Sequence, residues 1–202
     1  MFSTYQRLKR RTTSKDLNRP DYLQALVTEF QDTTDKQAKE QVLANLANFG
    51  YDPINFQYLR DLHVIDLFVD CMDTDEDING SIVEFGVGGL CNLAADAKNR
   101  ESILAIPNSI ELTIRCLSSA NKETVLSAMT LIMQLVVPAS RPRIISPALI
   151  SCMEKFSTAE DARLRNIACV FLEDYCTLEE RSSAAAKTDS QPLLHIPLPP
   201  AK

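Results

Sequence analysis

A seven-residue segment recurs four times along this chain, and its spacing limits what the chain can fold into. The copies are LANLANF at 43–49, VGGLCNL at 87–93, MTLIMQL at 129–135 and CVFLEDY at 169–175. Their central apolar residues are Leu46, Leu90, Ile132 and Leu172. Successive centres are 44, 42 and 40 positions apart. A period of about 40–47 residues with helical patterning predicts a solenoid, in which stacked repeats bury one continuous core.

This period is typical of armadillo and HEAT repeats, so we predict an all-α fold. The specific prediction is a right-handed armadillo-type helical solenoid of about three and a half repeats over residues 20–178. Residues 1–19 are polar and basic without helical periodicity, which predicts a disordered arm. Residues 179–202 are rich in Ser, Ala, Lys and Pro and are predicted to be a disordered tail. The tail's apolar cluster at 193–198 leaves open whether it docks on the solenoid or on a partner.

Capping patterns predict where several helices begin. Asp52 followed by Pro53 marks one start, and helices are expected over Val64–Met72 and Ser81–Leu93. Further expected caps or capping boxes are Thr34 with Gln37, Ser81 with Glu84, Asn108, and Ser157 with Glu160 before a final helix over 161–176.

Three glycines fall inside one predicted helix, where each costs about 1 kcal/mol relative to alanine. They are Gly86, Gly88 and Gly89. Such a cost indicates that another backbone or side chain comes close. Two interpretations remain open: tight packing between helices, or a partner lying directly on this helix.

Composition and motifs argue against an enzyme. The chain carries a formal charge of −6, with +5 on residues 1–19 and therefore −11 on the remainder, so an extended nucleic-acid-binding surface on the body is not expected. His63 and His195 belong to no metal-binding pattern, and no glycine-rich phosphate loop or nucleophile motif is present. The six cysteines are single and mostly at apolar positions, which indicates reduced core thiols. We expect no cofactor, no metal and no small-molecule substrate, and find neither a membrane-spanning run nor a secretory signal.

Each third helix of the predicted repeats carries a polar residue expected to face the concave side of the solenoid. We call these residues the polar row: Asn48, Asn92, Gln134 and Asp174. Amides both donate and accept hydrogen bonds, so the row suits an extended segment laid along the groove. With Gly88 and Thr130, the row is the predicted partner-binding site. The alternative is that the amides only join neighbouring repeats.

The most distinctive segments include loops as well as apolar positions and are residues 22–31, 39–49, 51–53, 83–85, 88–93, 123–128, 162–166 and 196–199. They resemble an armadillo-repeat family of minor-spliceosome components. The likeness covers roughly residues 20–178 and touches the tail.

The resemblance implies a nuclear, non-catalytic scaffold. It implies pairing with an RNA-recognition-motif protein, RNA-binding motif protein 48, near other spliceosomal proteins and small nuclear RNA. The process is pre-mRNA splicing of the rare U12-type introns. A nuclear-import role for the basic run at 9–11 is also compatible with the sequence, as is a simple solvated terminus.

Nuclear-import adaptors of the armadillo type resemble one another in a Trp one helical turn before each concave Asn. The equivalent positions here are Ala44, Gly88, Thr130 and Val170, and the chain has no Trp. Lysine pockets of that kind are therefore not expected, and a wider ligand can approach.

An alternative function is direct RNA binding near the last repeat together with the basic arm. The candidate contacts are Arg141, Arg143, Arg163 and Arg165, with Lys155 beside them. These arginines are equally explained as solvated residues or as partners of nearby acidic residues.

Overall fold

The computed structural model describes residues 2–11, 17–74, 78 and 80–188. All regular secondary structure in these residues is helical, which confirms the predicted all-α fold. The α-helices are α1 Tyr5–Arg11, α2 Arg19–Asp32, α3 Lys36–Phe49, α4 Phe56–Asp61, α5 Val64–Met72, α6 Ser81–Leu93, α7 Ala97–Ala105, α8 Ser109–Arg115, α9 Lys122–Leu135, α10 Arg141–Ile144, α11 Pro147–Phe156, α12 Ala162–Tyr175 and α13 Leu178–Thr188. Short 3-10 turns at Pro53–Asn55 and Cys116–Ser118 precede α4 and follow α8.

The helices group into the predicted repeats. An incomplete repeat (α2, α3) is followed by three repeats of three helices: α4–α6, α7–α9 and α10–α12. The third helices α3, α6, α9 and α12 pack against one another in that order. The four repeat centres, Leu46, Leu90, Ile132 and Leu172, are at most 3% exposed. The recurring segment therefore forms the continuous core that joins the repeats.

A buried polar side chain closes the end of each of the first three third helices. Asn55 Nδ2 donates to Phe49 O at 2.9 Å, and Asn99 Nδ2 donates to Leu93 O at 2.8 Å. Ser140 Oγ donates in the same way to the oxygen of Leu135. Each acceptor is the last residue of its helix, where carbonyls lack intrahelical partners. The first helix of a repeat is thereby fixed against the end of the preceding third helix.

Several helix boundaries follow the sequence prediction and several caps differ. Val64–Met72, Ser81–Leu93 and the Asp52 cap are confirmed. The cap of α3 is Asp35 rather than Thr34, because its Oδ1 accepts from Gln37 N at 2.8 Å and from Ala38 N at 3.1 Å.

The other expected caps also changed. The cap of α6 is Gly80, one residue before Ser81, and Glu84 instead accepts from Asn121 Nδ2. The cap of α12 is Asp161, whose carboxylate accepts from Arg163 N, so the Ser157 prediction is wrong. Asn108 precedes α8 as expected, but its side chain makes no capping hydrogen bond.

The terminal regions are more ordered than the sequence indicates. α1 lies within the predicted disordered arm, and α13 covers the first part of the predicted disordered tail. Long-range contacts explain both: Ser3 N donates to Asp52 Oδ2 at 3.0 Å, and Arg181 Nε donates to Glu154 Oε1 at 2.7 Å. Residues 12–16 and 189–202 lie outside the described residues. The second range includes the tail's apolar cluster at 193–198.

None of the described helices has the length and apolar character that crossing a lipid bilayer requires.

Candidate partner-binding groove

A groove runs between the third helices α3, α6 and α9. It encloses about 280 Å³, and we call it the central groove. Its lining residues are Ala44, Ala47, Asn48, Glu84, Phe85, Gly88, Cys91, Asn92, Glu123 and Ser127. Three of the lining residues are small, and each comes from a different repeat: Ala44, Gly88 and Ser127. Ala44 and Gly88, which the sequence places at equivalent positions of successive repeats, thus line the same groove.

The glycines of α6 have two different roles. A Cβ atom on Gly89 would lie 2.5 Å from the ring of Phe68, and one on Gly86 would lie 3.0 Å from Phe68 O and Cys71 Cβ. These two glycines let α5 pack closely on α6. A Cβ on Gly88 would meet nothing nearer than Ser127 Oγ at 3.8 Å. Helix packing explains Gly86 and Gly89, and Gly88 leaves the groove open.

The two asparagines at the central groove differ in their contacts. Asn92 Nδ2 donates to Ala47 O at 3.0 Å, so Asn92 joins α6 to α3. Asn48 is exposed beside it. The interpretation that amides hold repeats together is therefore right for Asn92, while Asn48 keeps its side chain on the groove surface.

Gln134 lies in a second, larger groove of about 660 Å³, which we call the edge groove. The edge groove is lined by Phe2, Tyr51, Pro53, Ile54, Phe56, Gln57, Arg60, Cys91, Asn92, Ala95, Asp96 and Gln134. Cys91 and Asn92 line both grooves, so the two are adjacent. Gln134 Oε1 is shielded from water and accepts no hydrogen bond from the described residues. A buried acceptor without a donor is costly, and a bound donor would relieve that cost.

Thr130 and Asp174 do not join this surface. Thr130 Oγ1 donates to Leu126 O at 2.8 Å within its own helix, so its hydroxyl is already used. Asp174 is exposed on α12 and lines neither groove. Of the predicted site, the structure brings together Asn48, Gly88 and Asn92 at one groove and Asn92 and Gln134 at the other.

Polar contacts between repeats lie beside the central groove, and the repeat pattern did not predict them. Glu84 Oε2 accepts from Asn121 Nδ2 at 2.7 Å, and Glu123 Oε1 accepts from Arg163 Nη2 at 2.8 Å. The Lys122 ammonium donates to the Asp161 carboxylate, which lowers the pKa of Asp161 together with backbone donors from Arg163 and Leu164. The only sequence signal for these contacts is a charged or amide residue at the start of each third helix.

The predicted RNA-contact arginines are largely engaged within the protein. Arg141 donates to Tyr175 O and to Glu180 Oε2, at 3.0 and 2.8 Å. Arg165 Nη1 donates to Ala159 O at 2.7 Å, and Arg163 pairs with Glu123. Arg143 is exposed. Arg141 and Arg163 therefore pair with acidic residues, as the alternative explanation supposed, whereas Arg165 binds backbone carbonyls.

No group of three or more His, Cys, Asp or Glu side chains in the described part of the chain could hold a metal ion.

Comparison with curated proteins finds a close relative. The chain is 49% identical to armadillo repeat-containing protein 7 of Mus musculus over 185 residues. This alignment covers 91% of each of the two chains. No family model matches the chain.

Comparison with solved structures supports the fold. Three crystal structures of engineered proteins align with TM-scores of 0.66, 0.64 and 0.63 at 13%, 17% and 16% identity. In the same order, the aligned regions cover 84%, 75% and 80% of this chain. They cover 71%, 36% and 63% of the engineered chains. At such identities the likeness concerns the fold alone.

Proposed function

Because the chain belongs to the armadillo repeat-containing protein 7 family, we propose that it is a non-catalytic scaffold of the minor spliceosome. In this proposal it acts in the nucleus and binds an RNA-recognition-motif protein similar to RNA-binding motif protein 48. The pair would take part in pre-mRNA splicing of U12-type introns, beside other spliceosomal proteins and small nuclear RNA.

One observation carries the choice of surface: the unpartnered Gln134 Oε1 in the edge groove. Folded proteins leave few buried acceptors unsatisfied, and such an acceptor is a natural contact for a partner's N–H group. The neighbouring central groove offers the exposed Asn48 amide, which can donate and accept. The two grooves together can contact a peptide backbone.

The small residues of the central groove favour a broad ligand over a single long side chain. Ala44 and Gly88 stand where a lysine-binding armadillo protein would place large rings, and Gly88 has open space above it. An RNA-recognition motif contains a four-stranded sheet, and the edge of a sheet presents unpaired N–H and C=O groups. Such an edge suits both the open surface and the free amides.

To test this proposal, the tagged full-length chain is used to recover its protein partner from nuclear extract that has been treated with RNase. Gln134→Leu keeps the volume of the side chain and removes its amide, and Gly88→Gln fills the central groove. We expect both variants to lose at least about tenfold in partner affinity, the effect of about 1.4 kcal/mol. Ala105→Gln places the same side chain at an exposed site on α7 and should bind as the wild type does.

Asn92→Ala is a poorer probe, because it also removes the contact with Ala47 O. If recovery collapses with RNase while Gln134→Leu and Gly88→Gln behave as wild type, the scaffold proposal and its groove are overturned.

A further inference from the structure

Exposed apolar side chains are concentrated at the amino-terminal end of the protein. Among the described residues, seven large hydrophobic side chains are exposed, and five of them precede residue 52: Phe2, Tyr5, Leu17, Tyr22 and Tyr51. Four of these five are aromatic. Four of the chain's five tyrosines lie in this region, at positions 5, 22, 51 and 58. Exposed aromatic clusters of this kind mark interaction sites.

Four of the aromatic rings at this end form two contacting pairs. The Phe2 and Tyr51 ring centroids are 5.5 Å apart, and Tyr22 meets Phe49 edge-on at 5.8 Å. Burial, together with the neighbouring Tyr5 side chain, raises the pKa of Tyr58. Phe49 and Tyr51 are two residues apart where α3 ends, so they link the two ring pairs. We call Phe2, Tyr5, Tyr22, Phe49 and Tyr51 the aromatic patch.

Positive charge accompanies the aromatic patch. The Arg19 guanidinium lies 4.7 Å from the centroid of the Phe49 ring. Lys9 and Arg10 are exposed on α1, the same short helix that carries Tyr5. Residues 1–19 have six basic side chains and one acidic side chain, whereas the chain as a whole is at −6. The basic charge is therefore local to this end of an acidic protein.

We propose that the aromatic patch and the basic side chains of α1 bind a single-stranded nucleic acid. Unpaired bases stack on exposed aromatic rings, and neighbouring Lys and Arg side chains contact the phosphates. The ring pairs already hold Tyr22 and Tyr51 in place, so little side-chain freedom is lost on binding. A purely apolar protein partner would instead have to desolvate Lys9 and Arg10.

This site is separate from the arginines of the last repeat, most of which have internal partners. The aromatic patch shares Phe2 and Tyr51 with the edge groove. Its proposed binding does not rest on the scaffold function, since it is a property of the isolated chain.

The test is fluorescence anisotropy of the full-length protein with labelled twelve-nucleotide oligo-U RNA and oligo-dT DNA at low salt. Tyr22→Leu and Tyr51→Leu keep apolar bulk and remove the ring. Each should weaken binding about tenfold, as expected when one base loses its stacking partner. Leu178→Ala removes an exposed apolar side chain elsewhere and should bind as the wild type does. Circular dichroism and the thermal midpoint show whether each variant is folded.

Salt dependence tests the basic part of the site. For single strands, log K falls with log salt by a slope of about 0.7 for each phosphate contact. The double variant Lys9→Gln with Arg10→Gln removes two such contacts and should therefore reduce the size of this slope by about 1.4. Arg143→Gln with Lys155→Gln is the matched control and should leave the slope unchanged.

Binding of either oligonucleotide supports the site, whichever of the two binds more tightly, since stacking does not depend on the sugar. The proposal is overturned if the wild type binds neither oligonucleotide. It is also overturned if a duplex of the same length binds equally well, or if only the Arg143 and Lys155 control loses affinity. Capture of a protein by the patch without oligonucleotide binding would assign it to a protein partner instead.

Discussion

Gly88 and Gly89 are adjacent in α6 but face opposite surroundings. Gly89 lies against the Phe68 ring of α5, and Gly88 lies over the central groove. The same residue type thus serves packing at one position and openness at the next. A sequence pattern cannot separate the two roles, because both appear as glycine inside a helix.

We predict opposite effects on stability for two alanine substitutions. Gly88→Ala should raise the free energy of unfolding by about 1 kcal/mol, because alanine is the better helix former and its methyl group has space. Gly89→Ala should lower it by about 1–3 kcal/mol, since the methyl group overlaps the Phe68 ring. Urea denaturation with an unchanged slope measures both. Equal midpoints for the two variants would contradict the packing role of Gly89.

At the scale of single residues, the sequence predicted the location of polar groups better than their contacts. Two residues of the polar row, Asn48 and Asn92, line one groove. The repeat pattern could not show that Asn92 reaches the free carbonyl of Ala47, because that depends on the distance between two helices. It also grouped Thr130 with the site, whereas the hydroxyl bonds within its own helix.

At the scale of helices, α13 is held to the last repeat by charged contacts. Glu180 accepts from Arg141 of α10 and from Thr177 N, and Arg181 pairs with Glu154 of α11. Ala184 on the same helix is buried. Its polar sequence gives little indication of this role, since the contacts come from residues 27 and 39 positions earlier.

The attachment of α13 should weaken in acid. The Arg141 hydrogen bond and the Thr177 backbone donor lower the pKa of Glu180 from 4.5 to about 2. A lowered folded-state pKa contributes stability that is present above pH 4.5 and is lost as pH falls towards 2. The difference in unfolding free energy between wild type and Glu180→Gln should therefore stay level from pH 6 to about pH 4.5 and shrink from there to pH 3. Urea midpoints of both proteins across that range give the measurement, and a constant difference would contradict the pairing.

Helix order and repeat length were predictable because apolar periodicity recurs in every repeat. Val64–Met72 and Ser81–Leu93 were predicted to the residue. The order of α1 was not, since it depends on tertiary contacts of Phe2 and Ser3 with residues 51 and 52. Cap predictions were wrong where an acidic side chain nearer the helix accepts hydrogen bonds from two backbone N–H groups, as Asp35 does.

At the scale of the whole molecule, three of the six cysteines, Cys71, Cys116 and Cys152, are buried in the core. The other three, Cys91, Cys169 and Cys176, are half-buried. Burial raises the pKa of Cys71, Cys116 and Cys152 to about 12, and that of Cys91 to about 11. These thiols hold their protons in the folded state and release them near pH 9 when unfolded.

We therefore predict a loss of stability in alkali. A raised folded-state pKa contributes stability that is complete below about pH 9 and is lost as pH rises through about 11–12. The unfolding midpoint should fall above pH 9, and it should fall less steeply in Cys116→Ala with Cys152→Ala. Tyrosine and lysine titrate in both proteins, so the difference between the two curves isolates the thiols. Parallel curves would contradict this role for burial.

The row of third helices has consequences for the length of a bound segment. Packed helices are usually about 8–10 Å apart, so α3, α6, α9 and α12 together extend over about 25–30 Å. An extended chain advances about 3.3 Å per residue, and about eight or nine residues match that distance. The number of repeats thus sets how much of a partner can be contacted at once, and residues beyond that stretch would gain nothing from the third helices.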